Sequence, residues 1–348
     1  MNHLSILYKM FNFSFKIILF VFLALISCQT NHHQSTATPR HDFQKNLMGT
    51  TWEITIITDD FLNAKQVAKS AFYEIERIEK RFSSWIENTE ISKINREAGQ
   101  FVEISKESYD HLKLAQSIAQ ETQGAFDVTW ASLQGLWDFR AKKIPPHTEI
   151  LARLQFVGSQ KHLQLKQENA LYFAQLSKGA RIELGAITKG YAVDQASQII
   201  EKFGFQNFIV NGGGDLKISG HKEDQSPWRI GIRHPRNGKI FGEIQIDGTQ
   251  SIVSSGDYER YFIENGQIYH HIIDLRTGYP AQASVSVTVV APTAVLADAY
   301  ATALFVLGPK ASQEILNQHP EIQVVFLTPS GEVLGSPKLL KQLPSRWY

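Results

Sequence analysis

The chain has 348 residues, with 35 Lys and Arg against 34 Asp and Glu, too even a balance to attract nucleic acid by a global field. Its one cysteine, Cys28, excludes disulfides, thiolate catalysis and zinc–cysteine sites from everything downstream. About 300 residues follow it, enough for one large domain or two intimate ones.

At the start, Lys9 and Lys16 precede an unbroken apolar run over 17–26 that leads into Ser27 and Cys28. A basic start, an apolar run of about ten residues and a small residue make a secretory signal. A spanning helix needs roughly twenty apolar residues, so this run is short for an anchor. Leu25-Ile26-Ser27-Cys28 resembles the lipobox of bacterial lipoproteins, in which the cysteine is diacylated and becomes the mature N-terminus. Acyl chains contribute about 0.8 kcal/mol per buried methylene, so several on one cysteine anchor a protein stably. The alternative is an uncleaved signal with a chance cysteine. Gln29–Arg40 is polar, includes His32 and His33, and reads as a flexible spacer. The expected organisation is a signal over 1–27, a tether over 28–41 and a folded domain over 42–348.

Beyond the spacer, Trp52–Thr58 alternates like a strand. Val67, Ala71, Ile75 and Ile78 recur at helical spacing and predict an amphipathic helix over 64–81. Further helices are expected over 106–122, ahead of Gly124, and over 191–203, ahead of Gly204. Short β-type runs follow at 208–211, 228–233, 258–263, 270–274 and 284–290. Residues 294–307 are apolar on most faces, the pattern of a buried helix, and 322–327 supplies a last strand. Strands in runs, without strict alternation with helices, indicate an α+β fold.

Several polar groups stand out against this frame. Asp298 and Thr302 lie one turn apart on the buried helix, a carboxylate and a hydroxyl on one face. That pair suits a hard cation such as Mg²⁺, although a helix-edge salt bridge is the commoner fate of such an Asp. Asn211-Gly212-Gly213-Gly214-Asp215 follows a strand, so it reads either as a plain hairpin turn or as backbone free to approach an anion. Gly185 to Gly190 lies between a strand end and the third helix, which places Lys189 beside a helix N-terminus as a phosphate site or leaves it solvated at a turn. His271 has the near-neutral pKa of a general base. No Gly-x-Ser-x-Gly elbow supports a serine hydrolase.

Taken in order, these stretches resemble the ApbE family of FAD:protein FMN transferases. The resemblance is carried by Met48-Gly49-Thr50, Phe82-Ser83-Ser84-Trp85, Gly124–Thr129, Glu183–Tyr191, Asn211–Asp215, Ser255–Arg260, His271–Gly278 and Ala297–Leu304. It covers the chain from Phe43 to the C-terminus, and eight ordered motifs make chance agreement very small. It implies a single compact α+β domain of mixed and antiparallel strands with several helices. It further implies transfer of the FMN half of FAD to a Ser or Thr of an acceptor protein, with Mg²⁺ and release of AMP.

Residue by residue, the resemblance makes Asp298, Thr302 and the carbonyl of Ala186 metal ligands. Met48, Trp85, Ala125, Phe126, Asp127, Glu183, Lys189 and Ile273 align with flavin-nucleotide contacts. Arg260 adds positive charge, and Trp85 and Phe126 offer faces for ring stacking. His271 and Asp257 are alternative proton acceptors for the acceptor hydroxyl. The chain departs from the family at Glu183, where Asp is usual, and at Trp85, where Tyr is common. Leu275 replaces a frequent Pro and is expected to loosen its turn, and Ala301 stands where some members have a second acidic ligand. Two other readings share the site: an FAD pyrophosphatase giving FMN and AMP, and a non-catalytic flavin-binding lipoprotein. The expected setting is a bacterial membrane, with the domain lipid-anchored on its periplasmic side.

Overall fold

The computed structural model describes residues 37–348; the signal segment, Cys28 and most of the expected tether lie outside them. The chain enters the sheet at Arg40, so the last two residues of the expected tether already belong to strand β1 (Arg40–Leu47). It pairs with β2 (Thr50–Ile57) across a two-residue turn, Met48-Gly49, with Leu47 opposite Thr50.

Asp60 caps helix α1 (Phe61–Phe82) by accepting the Asn63 N–H at 3.0 Å. The predicted apolar stripe is buried: Val67, Ala71, Ile75 and Ile78 all face the core. Helix α2 (Glu90–Arg96), strand β3 (Phe101–Ile104) and helix α3 (Lys106–Glu121) follow, the last capped by Ser105. A 3₁₀ turn (Val128–Leu133) and helices α4 (His147–Leu154) and α5 (Ser159–His162) lead to β4 (Leu163–Glu168) and β5 (Leu171–Leu176). With β3 these make a small sheet in the order β3-β5-β4.

Helix α6 runs from Gly185 to Lys202, six residues earlier than periodicity predicts. Strands β6 (Phe208–Gly212), β7 (Asp215–Ser219), β8 (Trp228–Arg233), β9 (Ile240–Ile246) and β10 (Gln250–Gly256) follow. The expected strand at 258–263 shrinks to β11 (Tyr261–Glu264), because Asp257–Arg260 forms a turn. That at 270–274 splits into β12 (Gln267–His270) and β13 (Ile273–Asp274), and β13 pairs with β14 (Tyr279–Pro280). The chain closes with β15 (Ser286–Ala291), α7 (Ala294–Ala311), α8 (Gln313–Gln318), β16 (Gln323–Leu327), β17 (Val333–Gly335) and α9 (Pro337–Leu340). The helical φ/ψ of α7 breaks at Gly308, ahead of Pro309, close to its expected end.

Eight strands form one sheet in the order β1-β2-β6-β7-β10-β15-β16-β17, every neighbouring pair antiparallel. Both faces are covered. Val287 and Val289 share a core with Ala297, Ala301 and Leu304 of α7, whereas Val290 joins Ile244, Ile246 and Trp347 on the opposite face. That alternation is the period of two of a pleated strand, and it explains why β15 is buried at every position. Each large side chain withdrawn from water contributes about 1.5–3 kcal/mol. The α+β expectation is borne out.

Candidate active site

Two tight hairpins open one end of the sheet. Met48 (φ 50°) and Gly49 (φ 73°) form the β1–β2 turn, and Gly213 (φ 69°) and Gly214 (φ 106°) form the β6–β7 turn. Both central residues need positive φ in this turn class. The two turns touch, since a Cβ on Gly213 would lie 2.5 Å from the Thr50 hydroxyl. Met48, which is not a glycine, is held there by its N–H donating to Glu79 Oε1 at 2.8 Å near the end of α1. Trp85 follows α1 and exposes 74% of its surface, far more than core packing would leave an indole.

The glycine run is therefore a hairpin that ends on an acidic residue. Asp215 is buried and forms an ion pair with Lys189 of α6. Lys189 lies inside the helix, one turn beyond its start, and not beside the N-terminus. Burial works against its charge, but Asp215 and then Asp298 hold its pKa above the usual lysine value. The Glu183 carboxylate accepts the Gly185 N–H at 2.9 Å and so starts α6. Burial raises the Glu183 pKa.

Helices α6 and α7 run antiparallel in close contact. Asp194 accepts the N–H groups of Ala294 and Val295 at 2.8 and 2.9 Å. One turn along, the Gly190 N–H donates to Asp298 Oδ2 at 3.1 Å. A Cβ on Gly190 would stand 2.3 Å from the Ala294 carbonyl oxygen, so only glycine allows this approach. Both contacts obey one register, and Ala186 and Thr302 lie one turn beyond Gly190 and Asp298 on their own helices. The residues expected to supply metal donors thus all belong to this helix pair.

These donors fit a hard cation. Asp298 is buried, and burial raises its pKa strongly, with Asp215 adding to the shift and Lys189 opposing it. Among the described residues, Gly190 is its one hydrogen-bond donor. A buried carboxylate with a single neutral hydrogen-bond donor is costly to ionise, and a cation bound beside it would join Lys189 in stabilising its charge. No group of three His, Cys, Asp or Glu among the described residues is placed to hold a metal. The donors on offer are one carboxylate and neutral oxygens, a set of the kind Mg²⁺ takes.

His271 lies between two hairpins. Its N–H bonds the Arg260 carbonyl at 3.1 Å, closing the base of β11–β12. The residue reaches solvent, yet packing on its inner side and the neighbouring His270 and Arg260 lower its pKa to about 4. It is neutral at physiological pH. Arg260 itself is exposed, and Ile273 packs with Trp137 and Leu275.

Four expectations need correction. Asp257 is not a free base: its buried carboxylate accepts from Arg236 at both oxygens, at 2.6 and 2.8 Å, while the guanidinium reaches solvent. Phe126 is 2% exposed and lies in the main core, so it offers no stacking face. Asp127 accepts four hydrogen bonds, from the N–H and hydroxyl of Thr129 and of Ser159, at 2.6–2.8 Å. Its side chain holds loops together and has little capacity for a ligand. Ala125 is also buried, in the cluster that includes Ile272 and Ala301. The Leu275 turn is not loose either, because Leu275 is buried and Trp137 Nε1 bonds the Gly278 carbonyl at 3.0 Å. Ala301 sits wholly in the core.

Asp215, Asp194, Gly190 and Arg236 were not read as site residues from the sequence. Asp215 and Gly190 had a signal, as the acidic end of the glycine turn and the end of the Gly185–Gly190 stretch. A groove of about 610 Å³ on the flank of α6, lined by His111, Tyr191, Asp194 and Lys217 among others, includes none of the expected site residues.

The ApbE family model matches residues 48–326. The chain belongs to the ApbE family. Among similar proteins, the FAD:protein FMN transferase of Haemophilus influenzae is 32% identical over 311 residues, covering 85% of this chain and 89% of that protein. Its Klebsiella pneumoniae counterpart is 29% identical, covering 82% and 83%. The crystal structure of the ApbE protein of Thermotoga maritima superposes with a TM-score of 0.79 at 32% identity, covering 88% of this chain and all of that one. The flavin transferase ApbE of Vibrio cholerae gives 0.76 at 26% identity, with 88% and 100% covered.

Proposed function

We propose that this chain is an FAD:protein FMN transferase that moves FMN from FAD to a Ser or Thr hydroxyl of an exported acceptor protein. The observation that carries the reading is the α6–α7 crossing, where buried Asp298 meets Gly190 beside the Lys189–Asp215 pair. In this reading Asp298, Thr302 and the Ala186 carbonyl hold Mg²⁺, which when bound supplies Lewis acidity and a template for the pyrophosphate. The acceptor oxygen attacks the FMN phosphorus, the bond to the bridging oxygen breaks, and AMP leaves with that oxygen. The hydroxyl proton passes to the neutral imidazole of His271. Asp257 is committed to Arg236, which favours His271 as the base.

Lys189, pinned by Asp215, gives the phosphates a fixed positive charge, and exposed Arg260 adds another. Trp85 is the aromatic surface open to the flavin or adenine ring. Met48, Glu183 and Ile273 shape the edges of that site. The domain works outside the cytoplasm, anchored by acyl chains on Cys28 and facing the periplasm.

The test incubates the full chain in detergent with FAD, Mg²⁺ and an acceptor presenting an exposed Ser or Thr. Covalent yellow label on the acceptor, with one AMP per label, is expected. Free FMN and AMP without label would replace transfer by hydrolysis, and intact FAD would leave only binding. Asp298→Ala is expected to lose Mg²⁺-dependent turnover by at least about 10²-fold. An unchanged rate refutes the metal assignment.

A further inference from the structure

We infer that Asp194, which touches neither phosphate nor metal donor, is the positioning residue that sets the register of the cation site. The inference rests on the metal reading above and names what holds that site in shape.

Helix α7 lacks a cap of its own. Thr293 stands at its cap position and makes no side-chain cap bond. Its hydroxyl is buried without a hydrogen-bond partner among the described residues. The first two N–H groups of α7 go instead to Asp194, one to each carboxylate oxygen. A cap supplied by a neighbouring helix does more than satisfy donors. It fixes how far α7 slides along α6 and how it is rotated. Lys217 assists from the sheet, its Nζ reaching the carbonyl of Pro292 at 2.5 Å.

The consequence appears at the far end of the same crossing. Asp298 meets Gly190 one turn from the cap, and Thr302 on α7 and Ala186 on α6 each lie one turn further along their own helices. Mg²⁺ demands near-ideal octahedral geometry with ligands at about 2.0–2.1 Å. A slip of a fraction of an ångström between the helices would therefore separate the Ala186 carbonyl from the α7 donors while leaving the core packed.

Mn²⁺ is the probe, with its affinity measured by electron paramagnetic resonance on folded full chain in detergent, alongside hydrogen exchange of α7. Asp194→Ala is expected to weaken Mn²⁺ binding on the order of tenfold or more and to speed exchange at 294–298. Asp194→Asn keeps one good acceptor and is expected to fall between it and the wild type. Should the alanine variant fail to fold, the asparagine variant carries the test. Wild-type Mn²⁺ affinity in a folded Asp194 variant, with Asp298→Ala abolishing binding, overturns this inference alone. Wild-type affinity in Asp298→Ala as well overturns the metal reading with it. A cap that is merely structural would lower the unfolding midpoint and leave cation affinity per folded molecule unchanged, which also overturns the inference.

Discussion

The pKa values of His271 and Asp298 are displaced in opposite directions, and the difference makes the proposed roles separable. The His271 pKa is depressed to about 4, so the imidazole stays available as a base until the medium is quite acidic. Burial raises the Asp298 pKa, so a proton competes with any cation there as pH falls. On the metal assignment proposed above, saturating Mg²⁺ displaces that proton. The acid limb of the transfer rate is then expected near pH 4, and His271→Gln should remove it while lowering the rate about 10²–10⁴-fold. A limb near pH 6.5 in the pH–rate profile would contradict the environment described for His271. The same shift acts on stability. A histidine whose folded pKa lies below its unfolded value contributes fully above about pH 6.5. That contribution is lost as pH falls from about 6.5 toward 4, because only the unfolded chain takes up the proton. Asp127 shows where residue-level reading stops. The motif identified the position, but two of its four donors come from Ser159, on a segment with no sequence signal.

For helices, apolar spacing revealed what faces the core and missed what fixes the crossing. Helix α1 was legible because its stripe is wide and regular. The start of α6 was not, because Gly185 and Gly190 suggest a turn when read locally. In the fold Gly190 is a helical residue whose missing side chain admits α7. Gly190→Ala tests this, with two opposed contributions. Alanine favours a helix by about 1 kcal/mol over glycine. Its Cβ would press on the backbone oxygen of Ala294 at 2.3 Å, and overpacking costs about 1–3 kcal/mol. Because backbone cannot step aside as a flexible side chain can, net destabilisation of about 1–2 kcal/mol in urea unfolding is expected. A stabilised variant would mean that the helices are farther apart than described.

Across the whole molecule, the strands and helices that periodicity could reach were placed within a few residues. Strand β8 was placed residue for residue, but its partner β9, the small β3-β5-β4 sheet and the order of the large sheet were not, because strand pairing is long-range and no local pattern encodes it. Anchoring also belongs to this scale. Cys28→Ser is expected to release the protein from the membrane fraction into the soluble fraction. Retention of that variant in the membrane fraction would point to an uncleaved signal as the anchor.

One feature of the sheet bears on how the protein comes into being. Strand β2 pairs with β6, Trp52 opposite Gly212, so α1 to α6 must be made before this seam can close. Such non-local pairing raises contact order and slows folding, although the closure entropy of the intervening segment grows only slowly with length. Met48 lies on one side of the seam and Asp215 on the other. A chain that has folded only one side of the seam has half a site, so flavin affinity should arise late in refolding, with final closure of the sheet.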